Sequence, residues 1–207
     1  MRRARGRRAL ATVLATGLLA LAGCGGEASS SSGGFNGNRL DPPFEVSAVP
    51  LTDTTGASYS LTKSTDKPLT LVFFGYTHCP DICGVVMANL ASAMTRLSDA
   101  DRERVDVVYV TTDPARDTET VLARYLEHVD PDFIGLTGDL ADIVEIGKPL
   151  GVGVTQGKKL PSGGYDVTHG TTITGIDSHD EAPVYWSQET SAAQFAEDIH
   201  TLLAQGD

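Results

Sequence analysis

Short apolar runs alternate with stretches whose apolar residues recur every three or four positions, from about residue 40 to the end of the chain. Residues 69–74, Leu-Thr-Leu-Val-Phe-Phe, are nearly continuously apolar and stop at Gly75, which predicts a strand buried on both faces. Over 81–97 the apolar positions are Ile82, Val85, Val86, Leu90, Ala93, Met94 and Leu97, a helix with one apolar face. Residues 105–110 read as a second buried strand, and Pro114 followed by 118–129 as a second helix. Residues 133–136 form a short strand-like run. Leu140, Ile143, Val144 and Gly147 predict a helix that stops at Lys148-Pro149. Residues 165–176 are strand material around a polar break, 184–186 a further strand, and 191–204 a terminal helix with Phe195, Ile199, Leu202 and Leu203 inward. Ahead of these, 46–51 and 58–61 flank Asp53-Thr54-Thr55-Gly56, the signature of a small hairpin. Strands that alternate with helices imply an α/β sheet with helices on its faces.

The first 23 residues break this pattern. They hold five arginines (Arg2, Arg3, Arg5, Arg7 and Arg8), no acid, and then a weakly apolar run to Leu21-Ala22-Gly23-Cys24. A basic start, a short apolar stretch and small residues before a boundary are the anatomy of an export signal. The run is short of the ~20 apolar residues that span a bilayer. Leu-Ala-Gly-Cys resembles the lipobox of bacterial lipoproteins, which implies cleavage after residue 23, lipidation of Cys24 and a membrane anchor on the extracytoplasmic face. Residues 24–40, rich in Gly, Ser and Asn, predict a flexible tether, and 41–207 a single folded domain.

Composition narrows the partners. With residues 1–23 removed, eleven basic residues remain against 27 acidic ones, a net charge of −16. Nucleic-acid binding relies on clustered positive charge and is excluded on this ground.

The candidate chemistry sits at 73–83, Phe-Phe-Gly-Tyr-Thr-His-Cys-Pro-Asp-Ile-Cys, where a buried strand gives way to a helix. Ligand sites gather beyond the carboxyl ends of such strands. The pattern places Cys79 at the start of the helix with Pro80 in its first position, where unpaired N–H groups favour thiolate. Cys83 follows one helical turn later, on the same side. A redox pair is usually Cys-x-x-Cys, and this pair has one residue more. Spacing alone leaves a disulfide, structural or redox, and a pair of soft metal ligands equally open.

Three blocks together resolve this by resemblance. Residues 75–83, Gly-Tyr-Thr-His-Cys-Pro-Asp-Ile-Cys, resemble the Cys-x-x-x-Cys signature of the Sco/SenC family. Residues 112–118, Thr-Asp-Pro-Ala-Arg-Asp-Thr, resemble the family's Val-Asp-Pro-x-Arg-Asp-Thr segment, and 166–172, Asp-Val-Thr-His-Gly-Thr-Thr, its histidine block. One departure is Gly84, where many members carry proline. The resemblance implies a thioredoxin-like three-layer α/β/α fold with an N-terminal hairpin. It further implies copper, as Cu(I) and also Cu(II), held by Cys79, Cys83 and His169. The implied partner is the copper-bearing subunit of cytochrome c oxidase, and the implied role is a metallochaperone for its binuclear copper centre rather than an enzyme. His78 reads as a local electrostatic or packing residue, His128, His179 and His200 as solvated, and Asp113, Arg116 and Asp117 as a helix start with a surface ion pair.

The alternative is thiol–disulfide exchange that keeps the oxidase cysteines reduced, with Cys79 attacking and Cys83 resolving. Thioredoxin-type reductases carry a cis-proline beside the pair. The matching loop here, Thr168-His169-Gly170, has none, which favours metal. A peroxiredoxin-type Pro-x-x-x-Thr-x-x-Cys is absent around Cys79.

Overall fold

The computed structural model describes residues 34–65, 67–159, 161 and 165–206. The expected signal, Cys24 and the first part of the expected tether lie outside the described residues. Among the described residues no helix is long and apolar enough to cross a membrane.

The scaffold is an eight-stranded sheet in the order β1-β10-β9-β4-β5-β6-β2-β3. Its centre is β4 (Leu69–Gly75), parallel to β5 (Val105–Thr111), which is parallel to β6 (Ile134–Thr137). All seven residues of β4 are buried, as the unbroken apolar run requires of a strand covered on both faces. On the other side of β4 lie β9 (Ile173–Asp177), β10 (Glu181–Trp186) and β1 (Asn38–Glu45), each antiparallel to its neighbour. A hairpin turns where expected, but its strands are β2 (Leu51–Asp53), not 46–51, and β3 (Ser58–Tyr59); it is closed by Asp53, whose Oδ1 accepts from the N–H groups of Thr55 and Ala57.

Side chains alternate across β4 and divide the core in two. Leu69, Leu71 and Phe73 pack against α1 (Cys83–Met94), α3 (Glu119–Glu127) and α5 (Ala192–Gln205) through Val86, Met87, Leu90, Leu122, Leu126, Phe195 and Ile199. Val72 and Phe74 face the opposite way, onto Ile143 and Ile146 of α4 (Leu140–Gly147). This is the expected three-layer α/β/α arrangement. Each fully buried aliphatic or aromatic side chain contributes ~1.5–3 kcal/mol, and β4 supplies such side chains to both halves of the core.

Three features differ from the sequence reading. The ordered fold begins before residue 41: Phe35 is buried, and β1 starts at Asn38. The reason is a single buried acid. Asp198 of α5, fully buried, accepts hydrogen bonds from the backbone N–H of Asn36 and Gly37 and from Trp186 Nε1. A side chain at Gly37 would collide with that indole, its Cβ lying 2.6 Å from Nε1. Second, α1 starts at Cys83, not near Asp81, so Pro80 lies in a bend ahead of the helix. Third, the pattern missed the one-turn helix α2 (Asp99–Arg102), capped by Ser98, and the strand β7 (Val154–Lys159). β7 pairs with β8 (Tyr165–His169) in a two-stranded ribbon separate from the main sheet.

Candidate metal centre

The loop between β4 and α1 carries both cysteines. It leaves the sheet at Gly75, whose carbonyl accepts from Thr112 N at 2.7 Å and from Thr112 Oγ1 at 3.1 Å. Only glycine fits there, because a Cβ would lie 2.9 Å from Tyr109 Oη. The chain then turns, with Cys79 N–H donating to the Tyr76 carbonyl at 3.1 Å. Cys79 is half-buried and Cys83 buried, and both are free thiols.

The environments of the two thiols drive their proton affinities apart. Burial raises the Cys79 thiol, but donation from Cys83 and from the backbone N–H groups of Asp81, Ile82 and Cys83 outweighs it and holds Cys79 below the ordinary thiol value. Those donors are the unpaired groups at the start of α1, where Ile82 supplies no side-chain cap. Burial pushes Cys83 up to about 12, aided by its donation to Cys79 and only partly countered by the Tyr76 N–H.

A buried acid clamps the loop. Asp117 is fully buried and accepts from Thr77 N at 2.9 Å, Thr77 Oγ1 at 2.5 Å and Thr111 Oγ1 at 2.7 Å. Asp113 is 2 % exposed and pairs with Arg116, whose guanidinium lies 5.9 Å from the centre of the Tyr76 ring. The sequence reading of a surface ion pair is thus corrected: this segment is packed beneath the cysteine loop. His78, mostly exposed, lies 3.0 Å from Thr77 Oγ1 through Nδ1 and 3.8 Å from Asp117 Oδ1.

Two tyrosines floor the site. Tyr109 and Tyr125 have ring centres 5.4 Å apart. Burial, followed by the negative charge Cys83 can carry, raises both phenols, Tyr125 to about 12 and Tyr109 well above the usual value. Neither tyrosine stands out in the sequence, where each reads as an ordinary apolar position. Asp117 was visible within 112–118, but nothing local indicated that it would reach Thr77.

His169 is the last residue of β8, in register with Val154, and the next residue, Gly170, donates its N–H to the Gly153 carbonyl at 3.2 Å. The side chains of 165–169 are outside the described part of the structure. Among the described residues no third His, Cys, Asp or Glu completes a metal-binding group with the two sulfurs. His128, His179 and His200 are exposed as expected, His200 bonding Asp101 at 2.9 Å.

The pattern of the family described as SCO1/SenC matches residues 37–204. The chain belongs to the SCO1/SenC family. It is 32% identical over 134 residues to the mitochondrial SCO2 homologue of Danio rerio, a match covering 64% of this chain and 48% of that relative. The matched stretch thus spans about half the relative's length. Among solved structures, apo Sco1 from Thermus thermophilus superposes with a TM-score of 0.71 at 30% identity, covering 83% of this chain and 96% of that one. Bradyrhizobium japonicum ScoI, determined with copper bound, gives 0.68 at 26% identity over 76% and 99% of the two chains. The fold is thioredoxin-like, as these SCO1/SenC neighbours share it.

Proposed function

We propose that this SCO1/SenC protein is a copper metallochaperone. It takes up copper(I) through Cys79, Cys83 and His169 and delivers it to the binuclear copper centre of cytochrome c oxidase. Lipidated at Cys24, it works from the extracytoplasmic face of the membrane. The observation that carries the reading is the pair of free thiols, Cys79 half-buried and Cys83 buried, between the end of β4 and the start of α1. A cation bound by this pair meets two soft donors at once, and two thiolates with one imidazole form a three-coordinate set suited to copper(I). Cys79 attracts the ion as thiolate, and Cys83 releases its proton as the ion binds. Copper seen in the Bradyrhizobium japonicum relative supports the same cargo. Transfer then proceeds by ligand exchange, the receiving cysteines replacing Cys79, Cys83 and His169 one at a time.

Anaerobic copper(I) titration tests this directly. One copper per chain is expected, with stoichiometric binding lost in Cys79→Ser and in Cys83→Ser and weakened in His169→Ala. Unchanged affinity in all three variants would overturn the assignment.

A second reading is favoured by the same pair of sulfurs. A half-buried, acidic Cys79 beside a buried, proton-retaining Cys83 is the order of an attacking and a resolving thiol. In that role the protein reduces the oxidase cysteines. His169 is then dispensable, so reduction of an oxidase-derived disulfide peptide by His169→Ala at the wild-type rate separates exchange from carriage.

A further inference from the structure

Helix α1 meets solvent along one side and carries no charge. Residues 82–95 hold no Asp, Glu, Lys or Arg, in a chain where 21% of residues are charged. Gly84, Val85 and Ala88 are exposed, and Ala91 and Ser92 half-buried. The other long helices behave differently: Arg124 and Glu127 on α3, Glu145 on α4 and Glu197 on α5 all stand in solvent. Folding does not ask for the difference. Lys, Glu or Ala would suit an exposed helical position better than Gly84 or Val85, and a Cβ at Gly84 would meet open space. Val85 is 52% exposed, the most exposed large hydrophobic side chain among the described residues.

This face adjoins the cysteines. Val85 lies two residues after Cys83, and helical side chains lean toward the N-terminus, so Val85 covers the bend at Asp81 and Ile82. Cys79 and Ile82 pack against the same core cluster. A protein that exchanges a ligand with Cys79 must bring its own donor atom to that half-buried sulfur, and so must lie over the exposed Pro80 and the start of α1. A charged side chain there would lose its water on contact, and the centres of protein interfaces are depleted in charge for that reason. The twelve-residue helix is ~18 Å long and ~10 Å across, so its outer face offers on the order of 200 Å², against the ~800 Å² per partner that stable complexes bury. That is too little for a lasting dimer of this chain, and it suits a partner that leaves after each exchange. Val85 and Ala88 are also too small to hold a helix in a bilayer surface, where Trp, Phe and Leu supply the binding.

We propose that the uncharged outer face of α1, centred on Val85 and Ala88, is the docking surface for the protein that takes copper from Cys79 and Cys83. The inference rests on the copper reading above. The partner it fits carries an uncharged, apolar ridge beside its own metal-binding cysteines. Copper(I) stays copper(I) in the exchange: for each copper–sulfur bond that forms on the partner one breaks on this chain, and the partner's thiol proton returns through solvent to the freed sulfur. A charge of either sign on α1 obstructs docking, because the penalty is lost hydration and not repulsion between particular charges.

The test loads the full chain with copper(I) in detergent micelles, with Cys24→Ser so that no third thiol competes. Val85→Lys and Ala88→Glu are compared with this parent and with Val144→Lys, which charges the other exposed valine, on α4 across the sheet. Transfer is followed to two acceptors, the reduced and metal-free copper-bearing domain of cytochrome c oxidase and a small chromophoric chelator. Transfer to the domain should slow by about tenfold or more in both α1 variants, the scale of a disrupted interface centre, and keep the parent rate in Val144→Lys. Transfer to the chelator should be the same in every protein. Unchanged transfer to the domain in both α1 variants overturns the docking face and leaves the copper reading intact, as does slowing by one sign of charge with acceleration by the other. Equal slowing toward the chelator places the defect in the metal site and also overturns it. A parent dimer in sedimentation that Ala88→Glu abolishes assigns the face to a second copy, and protection of α1 amides from exchange in phosphatidylcholine vesicles without acceptor assigns it to the bilayer; either result overturns the proposal. A parent that yields copper to the chelator and none to the domain overturns the delivery reading together with this one.

Discussion

The cysteine loop leaves β4, whose residues are all buried, and is bound at Thr77 to the buried Asp117. His169 closes β8, which among the described residues pairs with β7 and not with the eight-stranded sheet. One half of the candidate centre is set by the core of the protein, and the other by a ribbon of a kind that is marginally stable in isolation. The contrast teaches that a carrier can fix its two sulfurs once, as part of folding, and leave the third donor on an element that costs the domain little to rearrange. A cargo that must be released suits that division.

The largest effect that would sharpen this comparison lies within the cysteine half. At pH 8 a thiol-alkylating reagent should label Cys79 well before Cys83. Cys79 is held below the ordinary thiol value and ionises first as pH rises, whereas Cys83 retains its proton up to about 12. Mass-spectrometric mapping of the labelled site reads the ratio, and comparable rates would show that the two sulfurs are not differentiated. Next, Asp117→Ala removes the acceptor for Thr77 and Thr111 together. Denaturant unfolding should show a loss of roughly 2–4 kcal/mol, accompanied by weaker copper binding.

The ribbon should answer differently. Thr155→Pro, opposite Thr168, disrupts β7–β8 pairing and should lower domain stability by no more than about 1 kcal/mol, while reducing copper affinity as far as His169→Ala does. A large loss of stability would mean that the ribbon is integral to the core, and the comparison would break. The smallest effect is expected at Gly84, the second residue of α1, where a Cβ would meet open space. Gly84→Ala should stabilise the metal-free protein by about 0.5 kcal/mol and leave the sulfur donors in place, because Cys79 accepts from residues 81–83 and not from 84.

What the sequence disclosed follows the range of the forces involved. The unbroken apolar run at 69–74 and the apolar face of α5 are local patterns that stand where they were placed, whereas the hairpin turns at Asp53 but pairs 51–53 instead of 46–51, and Val85, expected on the apolar face of α1, is exposed. The cysteine pair and the Asp113–Thr118 block were legible as motifs. Their joining was not, because Asp117 meets Thr77 across forty residues and no periodicity encodes that pairing. The beginning of the fold was misplaced for a related reason: Asn36 and Gly37 look like linker until Asp198, far along the chain, takes their N–H groups. Helix α1 was drawn too long because Ile82 suits its apolar face, but Ile82 is the N-cap and residues 80–82 lie in a bend.

The strand register has a directional consequence. Asn38 lies in the row of Tyr185, Thr174 and Val72, so the polypeptide comes into the sheet level with the middle of β4, and Gly75 leads on to the cysteines three residues past that row. Three strand spacings, ~14 Å, separate β1 from β4 across the sheet. A load applied to the chain ahead of Asn38 is therefore taken up by the antiparallel strands β1, β10 and β9 before it reaches β4 and the loop that carries the cysteines.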